Sequence, residues 1–219
     1  NGTSHKFVSQ EAAKFLGKKP EELKTVTCHL GNGSSISAVD GGICVDTSMG
    51  FTPLAGVLMG TRSGDIDASA VEFLARKKGL SHADMVTYLN KQCGVAGISG
   101  VSSDFRDLIA GEEQGNARCK LALDMFCYQT KRFVGAYAAV MGGIDCLVFT
   151  AGIGENTPRV RKGVCEGLEF LGIKMDEAKN EAKNDGSIRD ISAADSRVKI
   201  LVIPTNEELV IARETAELL

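Results

Sequence analysis

The order of strand-like and helix-like segments constrains this chain more than any other feature of its sequence. Three strand-like segments, at residues 25–30, 35–39 and 42–46, follow one another with only short turns between them. Asp40-Gly41-Gly42 is a hairpin turn signal, and apolar and polar residues alternate in the second segment as in a half-buried strand. The spacing therefore predicts an antiparallel meander of three strands.

Two later strand-like segments, at residues 146–150 and 198–203, are each bounded by predicted helices. The longest predicted helix spans residues 116–141, and Thr157-Pro158 opens another helix before the final strand. Strands joined by helical crossovers pair in parallel. The resulting order, βββαβαβα, predicts a mixed-sheet α/β domain with helices on both faces. This order matches the ribonuclease-H-like unit of the actin, hexokinase and Hsp70 superfamily.

The other predicted segments have weaker boundaries. The first helix is predicted at residues 10–17 with Ser9 as its N-cap. Two more helices are predicted at residues 68–78 and 81–92. The charged stretch at residues 176–196 has no apolar periodicity, so we predict that it is mobile.

Length and composition are those of one large globular domain. The chain has 219 residues, of which 43% are apolar and 24% charged. Because 25 basic side chains face 28 acidic ones, the net charge is −3, which argues against binding of duplex nucleic acid. The apolar stretch between Arg132 and Glu155 is divided by Gly142-Gly143 and Asp145. We therefore expect a buried helix end and a strand there, and no membrane partner.

The seven cysteines are widely spaced and include no Cys-x-x-Cys pair. This pattern favours buried, reduced thiols over a zinc site, and Cys28, Cys44 and Cys146 lie in apolar strand-like segments. The polar start of the sequence does not resemble a signal peptide. Together with reduced thiols, it predicts a cytoplasmic location.

Two glycine-rich segments carry candidate residues for binding a phosphorylated ligand. Residues 29–35, His-Leu-Gly-Asn-Gly-Ser-Ser, join the first two strands, and their glycines would let backbone N–H groups approach an anion. The same residues also fit an ordinary Asn-Gly hairpin turn. Arg62 ends a glycine-rich loop at residues 47–67, where its guanidinium is suited to a transferring phosphoryl group. The alternative is a surface arginine paired with Asp65 or Asp67.

Two further segments lie at predicted helix N-termini. Residues 152–156, Gly-Ile-Gly-Glu-Asn, follow a buried strand, where α/β sheets bind ligands, although they also fit a tight turn. Asp104 is suited to sugar hydroxyls, while Phe105 and Arg106 are suited to stacking on a base. A plain helix start capped by Ser103 is the alternative for this segment.

Glu207 lies just past the last predicted strand, at the start of the last predicted helix. Thr205 and Glu208 have the spacing of a capping box for that helix. The Glu207 carboxylate is suited to Mg²⁺, which prefers oxygen ligands. It also fits a first-turn acid that is stabilised by the helix dipole.

Taken together, these segments resemble the acetate kinase, or acetokinase, family, and in particular its C-terminal half. The matching strings occur in the family's order and cover nearly the whole chain. They lie at residues 2–5, 29–33, 46–53, 59–65, 102–107, 152–156 and 204–208.

The resemblance implies Mg²⁺-dependent phosphoryl transfer between ATP and acetate, which yields ADP and acetyl phosphate. It implies that Arg62 stabilises the transition state, that Pro53 borders the acetate methyl group and that Glu207 binds the metal. It further implies a homodimer formed through this half of the protein. The nucleotide-binding residues that it implies are His29, Leu30, Gly31, Asn32, Gly33, Asp104, Phe105, Arg106, Gly152, Ile153, Gly154, Glu155 and Asn156.

The chain departs from the family pattern in two ways. The family carries an N-terminal domain with further substrate and phosphate residues, which these 219 residues do not include. We therefore expect residues 1–219 to be a nucleotide-binding and dimerising domain that is inactive alone. The family also has a histidine where this chain has Asn1, which cannot carry positive charge.

Other functions fit parts of the same pattern. A kinase for propionate or butyrate differs from an acetate kinase only in the pocket around Pro53 and in the missing half. A non-catalytic module that binds nucleotide or holds a dimer together is favoured by Asn1. A sugar kinase or a chaperone-type ATPase of the same superfamily matches the linked strings less well.

Overall fold

A mixed six-stranded sheet forms the centre of the computed structural model, which describes residues 1–206 and residue 215. In spatial order its strands are β3 (Ile43–Thr47), β2 (Ser34–Asp40), β1 (Lys24–Leu30), β4 (Cys146–Thr150), β6 (Lys199–Val202) and β5 (Arg189–Asp190). Strands β1, β4 and β6 are parallel, whereas β2, β3 and β5 each run antiparallel to their neighbours. The carboxyl ends of β1, β4 and β6 therefore share one edge, where ligands of α/β sheets bind.

The helices of the described residues cover both faces of this sheet. They are α1 (Gly2–Phe15), α2 (Ala68–Lys78), α3 (His82–Lys91), α4 (Gly94–Ser99), α5 (Phe105–Glu113), α6 (Ala117–Val140), α7 (Ala151–Asn156), α8 (Pro158–Cys165) and α9 (Glu177–Glu181). Side chains of Asp67, Ser81 and Asn116 cap the first turns of α2, α3 and α6. Over the described part of the chain, no helix has the length and apolar character needed to cross a membrane.

The pleat of β4 divides the core between the two faces. Leu147 and Phe149 point into the large cluster formed with α5, α6 and α8. Cys146 and Val148 point the other way and pack with Val8 of α1. The order of the five predicted strands and the placement of helices on both faces are therefore confirmed.

The predicted start of the first helix is wrong. Helix α1 begins at Gly2, so Ser9 lies inside it, and the Ser9 hydroxyl donates to the carbonyl of Lys6. The polar residues Ser4 and His5 are buried against the sheet. The Ser4 hydroxyl bonds the His29 imidazole of β1, and the His5 ring bonds the hydroxyls of Thr27 and Ser35. Tertiary hydrogen bonds therefore extend the helix through a segment that has no apolar periodicity.

The stretch at residues 176–196, which the sequence predicts to be mobile, contains two elements that the sequence prediction missed. It contains α9 and β5, and β5 adds a sixth strand antiparallel to β6. Asn180 is buried, and its side chain accepts a hydrogen bond from Arg161. A five-residue helix and a two-residue strand are too short to produce a periodic pattern.

Two other predictions differ from the structure or fall outside it. Cys44 is exposed, because every residue of the edge strand β3 is exposed, whereas Cys28 and Cys146 are buried. All seven cysteines are free thiols. The helix predicted to begin after Thr205, together with Glu207, lies outside the described residues.

The glycine-rich loop that carries Arg62 is held by backbone hydrogen bonds to the start of α4. The N–H groups of Val95 and Ala96 donate to the carbonyls of Met59 and Gly60. Gly94 has a positive φ of 63°, and a Cβ there would overlap the carbonyl oxygen of Met59. Only glycine therefore allows the loop and α4 to approach so closely.

Replacing Gly94 by alanine is expected to lower the free energy of unfolding by at least ~3 kcal/mol, because the new Cβ meets backbone atoms. Gly79→Ala is the matched control, since Gly79 has nearly the same φ but open space around it. That control should cost only about 1 kcal/mol. Urea denaturation of both variants measures the difference, and equal losses would contradict a steric role for Gly94.

Candidate functional site

Three segments that lie far apart in the sequence line one cleft at the carboxyl edge of the sheet. The cleft has a volume of about 550 Å³. Its walls are the turn between β1 and β2, the start of α5 and the helix α7 that follows β4. The lining residues are Gly31, Asn32, Ser103, Asp104, Phe105, Arg106, Gly152, Ile153, Asn156 and Thr157.

The turn at residues 31–33 is both a hairpin turn and a wall of the cleft, so the two interpretations of it are compatible. The Ser34 hydroxyl closes the turn by donating to the carbonyl of Gly31 at 2.9 Å. The backbone N–H of Gly60 donates to the carbonyl of Asn32 at 3.3 Å. The turn is therefore fixed to the loop that carries Arg62. Leu30, which precedes the turn, is fully buried in the core and does not line the cleft.

Arg62 lies beside this turn and beside Pro53. Its Nη1 donates to the carbonyl of Pro53 at 3.3 Å and lies 3.3 Å from where a Cβ on Gly33 would be. The two carboxylates considered as its partners are engaged elsewhere. Asp65 accepts from the N–H of Gly56, and Asp67 caps α2. The surface-pair alternative for Arg62 is therefore wrong.

Asp104 and Arg106 form an exposed pair at the mouth of the cleft. Asp104 caps α5 by accepting from the Arg106 N–H, so the alternative in which Ser103 caps this helix is wrong. The Arg106 guanidinium donates to the Asp104 carboxylate at 2.6 Å and lowers the pKa of that carboxyl to about 2. The Arg106 side chain is 90% exposed, so its planar group is open to a ligand.

Phe105 does not have the role that was predicted from its type. Its ring is buried and packs edge-on against Phe126, with 4.8 Å between the ring centroids. A ring held in the core cannot also stack on a base. Of the two groups predicted to stack on a base, only the Arg106 guanidinium is therefore free of the core and able to do so.

Helix α7 presents only part of its sequence to the cleft. Ala151, its first residue, has a positive φ of 64°, which is uncommon for a residue with a side chain. Gly152, Ile153 and Asn156 line the cleft, and the Asn156 amide donates to the Gly152 carbonyl at 3.0 Å. The two other predicted residues of this helix do not line it. Gly154 is buried against Phe149, and Glu155 accepts from the backbone N–H of Thr205 at 3.0 Å.

A buried arginine that the sequence analysis missed holds the end of α7. Arg161 is 1% exposed and donates to the carbonyls of Gly154 and Glu155 at 2.8 and 2.9 Å. It also donates to the Asn180 side chain at 2.6 Å. Burial lowers the pKa of Arg161 to about 10, so it remains a cation at neutral pH. In the sequence it looks like any surface arginine of an amphipathic helix.

A second missed group is the polar network behind the turn. The His29 Nδ1 lies 2.8 Å from the Ser4 hydroxyl, and His5 bonds the hydroxyls of Thr27 and Ser35 at 2.7 Å each. Burial, with a smaller effect of the nearby His29 ring, lowers the pKa of His5 to about 3. His5 is therefore neutral at pH 7. The sequence indicates only the His29 end of this network, because the string Gly2-Thr3-Ser4-His5 matches the family pattern without indicating what its side chains contact.

The predicted metal ligand Glu207 lies outside the described residues. Within residues 1–206 and residue 215, no group of three or more His, Cys, Asp or Glu side chains is placed to hold a metal ion.

The fold and the cleft define a class: an α/β domain with a cleft at the carboxyl edge of a mixed sheet, lined by glycine-containing turns and by Arg106. The comparison with known families is consistent with this geometry. The chain belongs to the acetokinase family, whose family model matches residues 1–213.

Individual relatives are similar over the whole chain. The sequence is 57% identical over 219 residues to the acetate kinase of Heliobacterium modesticaldum and covers 54% of that protein. Its fold matches a crystal structure of Porphyromonas gingivalis acetate kinase with a TM-score of 0.96 and 45% identity, over 99% of this chain and 54% of that one. A propionate kinase from Francisella tularensis matches with a TM-score of 0.89 and 43% identity, over 97% of this chain and 53% of that one. The chain thus spans about half the length of the relatives that it matches, and the predicted fold class is confirmed.

Acid is expected to destabilise the folded protein through His5. Because the pKa of His5 falls from its ordinary value of 6.5 to about 3, the folded state binds fewer protons than the unfolded state between these values. The free energy of unfolding should therefore fall by up to ~1.4 kcal/mol for each pH unit below 6.5 from this group.

Urea denaturation between pH 6.5 and about pH 4 tests this expectation. His5→Gln should lose less stability over this range than the wild type, whereas His82→Gln, at an exposed histidine, should lose as much as the wild type. If the pH slopes of the wild type and His5→Gln are the same, His5 is not the group responsible.

Proposed function

We propose that residues 1–219 are the C-terminal, nucleotide-binding and dimerising half of a two-domain acetate kinase. The complete protein transfers a phosphoryl group between ATP and acetate, giving ADP and acetyl phosphate, and this half is inactive alone. The observation that carries the proposal is the convergence of Arg62, Gly33 and Pro53 next to the cleft, in a chain of the acetokinase family.

The cleft suggests how the nucleotide lies. Asp104 and Arg106 at the start of α5 face Gly152 and Ile153 of α7, and we assign this end to the ribose and base. The carboxylate accepts sugar hydroxyls, and the exposed guanidinium stacks on the base. The phosphates then run along the turn at residues 31–33, whose backbone N–H groups suit anions.

This orientation directs the terminal phosphate towards Arg62. In the forward reaction, a carboxylate oxygen of acetate attacks the γ-phosphorus while the bond to the β–γ bridging oxygen breaks, so that ADP leaves with those electrons. The guanidinium stabilises the charge that spreads over the equatorial oxygens. Pro53, whose carbonyl holds Arg62, supplies an apolar ring beside the methyl group of acetate.

We propose Mg²⁺ as the metal and ATP or ADP as the nucleotide. Glu207 would hold the ion, since it follows the carboxyl end of β6 by a few residues and carboxylate oxygens suit Mg²⁺. The ion neutralises phosphate charge when bound. We also propose a cytoplasmic location, which the seven free thiols support.

A kinase for propionate is the second candidate function. The similarity to a solved propionate kinase supports it, because that protein is 43% identical to this chain. The Pro53 pocket and the half that is absent here would determine the choice between acids. Measured kcat/KM values for acetate, propionate and butyrate with the complete protein would distinguish the candidates.

Arg62→Ala is expected to lower kcat of the complete protein by about 10³-fold or more, because an arginine at the transferring phosphoryl acts in the transition state. The affinity for ADP should stay within several-fold of the wild type. Arg106→Ala is the matched control and should raise KM for nucleotide while changing kcat little. Steady-state kinetics and calorimetry measure both. An equal loss of turnover and ADP affinity in Arg62→Ala would make Arg62 a ground-state binder and remove its transition-state role.

We propose that the protein is a homodimer that forms through α6. Leu121, Met125 and Tyr128 lie four and three residues apart and form an exposed apolar stripe on this helix. Met125→Glu should convert a dimer to a monomer in analytical ultracentrifugation, because a carboxylate would be buried without a partner. Lys18→Glu, on an exposed turn, should remain dimeric. A monomeric wild type, or a dimeric Met125→Glu, would rule out this interface.

A further inference from the structure

Two hydroxyl groups and one backbone N–H connect four segments that lie far apart in the sequence. The Ser4 hydroxyl lies 2.8 Å from His29 Nδ1 and 3.2 Å from the Thr205 hydroxyl. The backbone N–H of Thr205 donates to the Glu155 carboxylate at 3.0 Å. The chain of hydrogen bonds thus runs from the end of β1, through α1 and the segment after β6, to α7.

The geometry of His29 gives this chain a consequence for ligand binding. Its Nδ1 faces Ser4, and its Nε2 lies 3.9 Å from where a Cβ on Gly31 would be, so the second nitrogen is directed towards the turn. When the Thr205 hydroxyl donates to Ser4 and Ser4 donates to Nδ1, the ring proton must be on Nε2. A donor then faces the turn, which is what phosphate oxygens require.

We infer that Ser4 and Thr205 are positioning residues of the nucleotide site, which fix the ring of His29 as the Nε2–H tautomer and hold α7 in register with the turn. This inference rests on the proposed function for the role of His29 towards phosphate. The role of Ser4 and Thr205 in orienting the His29 ring depends only on the observed hydrogen-bond distances. Ser4 is fully buried, so water does not replace its hydrogen bonds when they are lost.

The structure offers a matched control for this pair. Ser37 is buried, and its hydroxyl lies 2.9 Å from the Thr47 hydroxyl, between β2 and β3. This second Ser–Thr pair has similar chemistry but lies outside the cleft lining. Ser37→Ala therefore measures the cost of losing a buried hydroxyl pair without disturbing His29.

The first readout is the tautomer of His29, measured by ¹⁵N NMR on the chain of residues 1–219. The wild type and Ser37→Ala should show the Nε2–H form. Ser4→Ala and Thr205→Val should show a mixture of tautomers, and Thr205→Ser should restore the single form. A wild-type ring that carries its proton on Nδ1, or a tautomer unchanged in Ser4→Ala, would overturn the inference.

The second readout is calorimetric titration of the same variants with Mg-ADP. Ser4→Ala and Thr205→Val should weaken binding about tenfold, while Thr205→Ser and Ser37→Ala should stay within about twofold. If Ser37→Ala weakens binding as much as Ser4→Ala, the pair has only a structural role and the inference fails. Thr205→Val keeps the shape of the side chain and carries the test if Ser4→Ala does not fold.

The two readouts separate this inference from the proposed function. If the wild-type chain binds no Mg-ADP, the proposal that this half contains a nucleotide site fails, while the NMR result still decides whether Ser4 and Thr205 orient His29. If the wild type binds and the tautomer does not respond to Ser4→Ala, the proposed function stands and the positioning role is wrong.

Discussion

The parallel pairing of β1 with β4 is the constraint on which the site depends. In this register His29 lies opposite Thr150, so β1 and β4 end side by side at the same edge of the sheet. The turn after β1 and helix α7 after β4 are therefore neighbours, and Gly31 lies against Ala151. A parallel pair also requires a long crossover. That crossover carries Arg62 and the Asp104–Arg106 segment back to the same edge.

The charges of the cleft differ from one end to the other. The Arg106 guanidinium is paired with Asp104, so the field of each largely cancels the other, and this end is suited to hydrogen bonds and stacking. The hydrogen bonds of Arg62 to described residues go to a carbonyl oxygen and a thioether, which are neutral acceptors. Its positive charge is therefore retained for an anion. This asymmetry agrees with a ligand that is neutral at one end and highly charged at the other.

Much of this arrangement could be predicted from the sequence, because strong local patterns determined it. Strand β4 and helix α2 have the predicted bounds, since an apolar run and an Asp-capped helix are local signals. The start of α1 and strand β5 were missed because their stability comes from tertiary hydrogen bonds and pairing with β6. The burial of Phe105 was missed for a related reason. Residue type alone does not tell whether a ring next to a cleft faces the ligand or the core.

The burial of Arg161 has a consequence for how the surface of this protein tolerates change. Its guanidinium joins the last turn of α7 to Asn180, and Arg189 donates to the same Glu155 carbonyl. The exposed loop near Asp185 lies between Asn180 and Arg189, and both of these residues are hydrogen-bonded to α7 of the cleft wall, Asn180 through Arg161 and Arg189 directly. A change in the loop is therefore transmitted to that wall. A proteolytic nick or an inserted tag at that loop would loosen the wall from behind, although loops of this kind are the usual choice for such insertions.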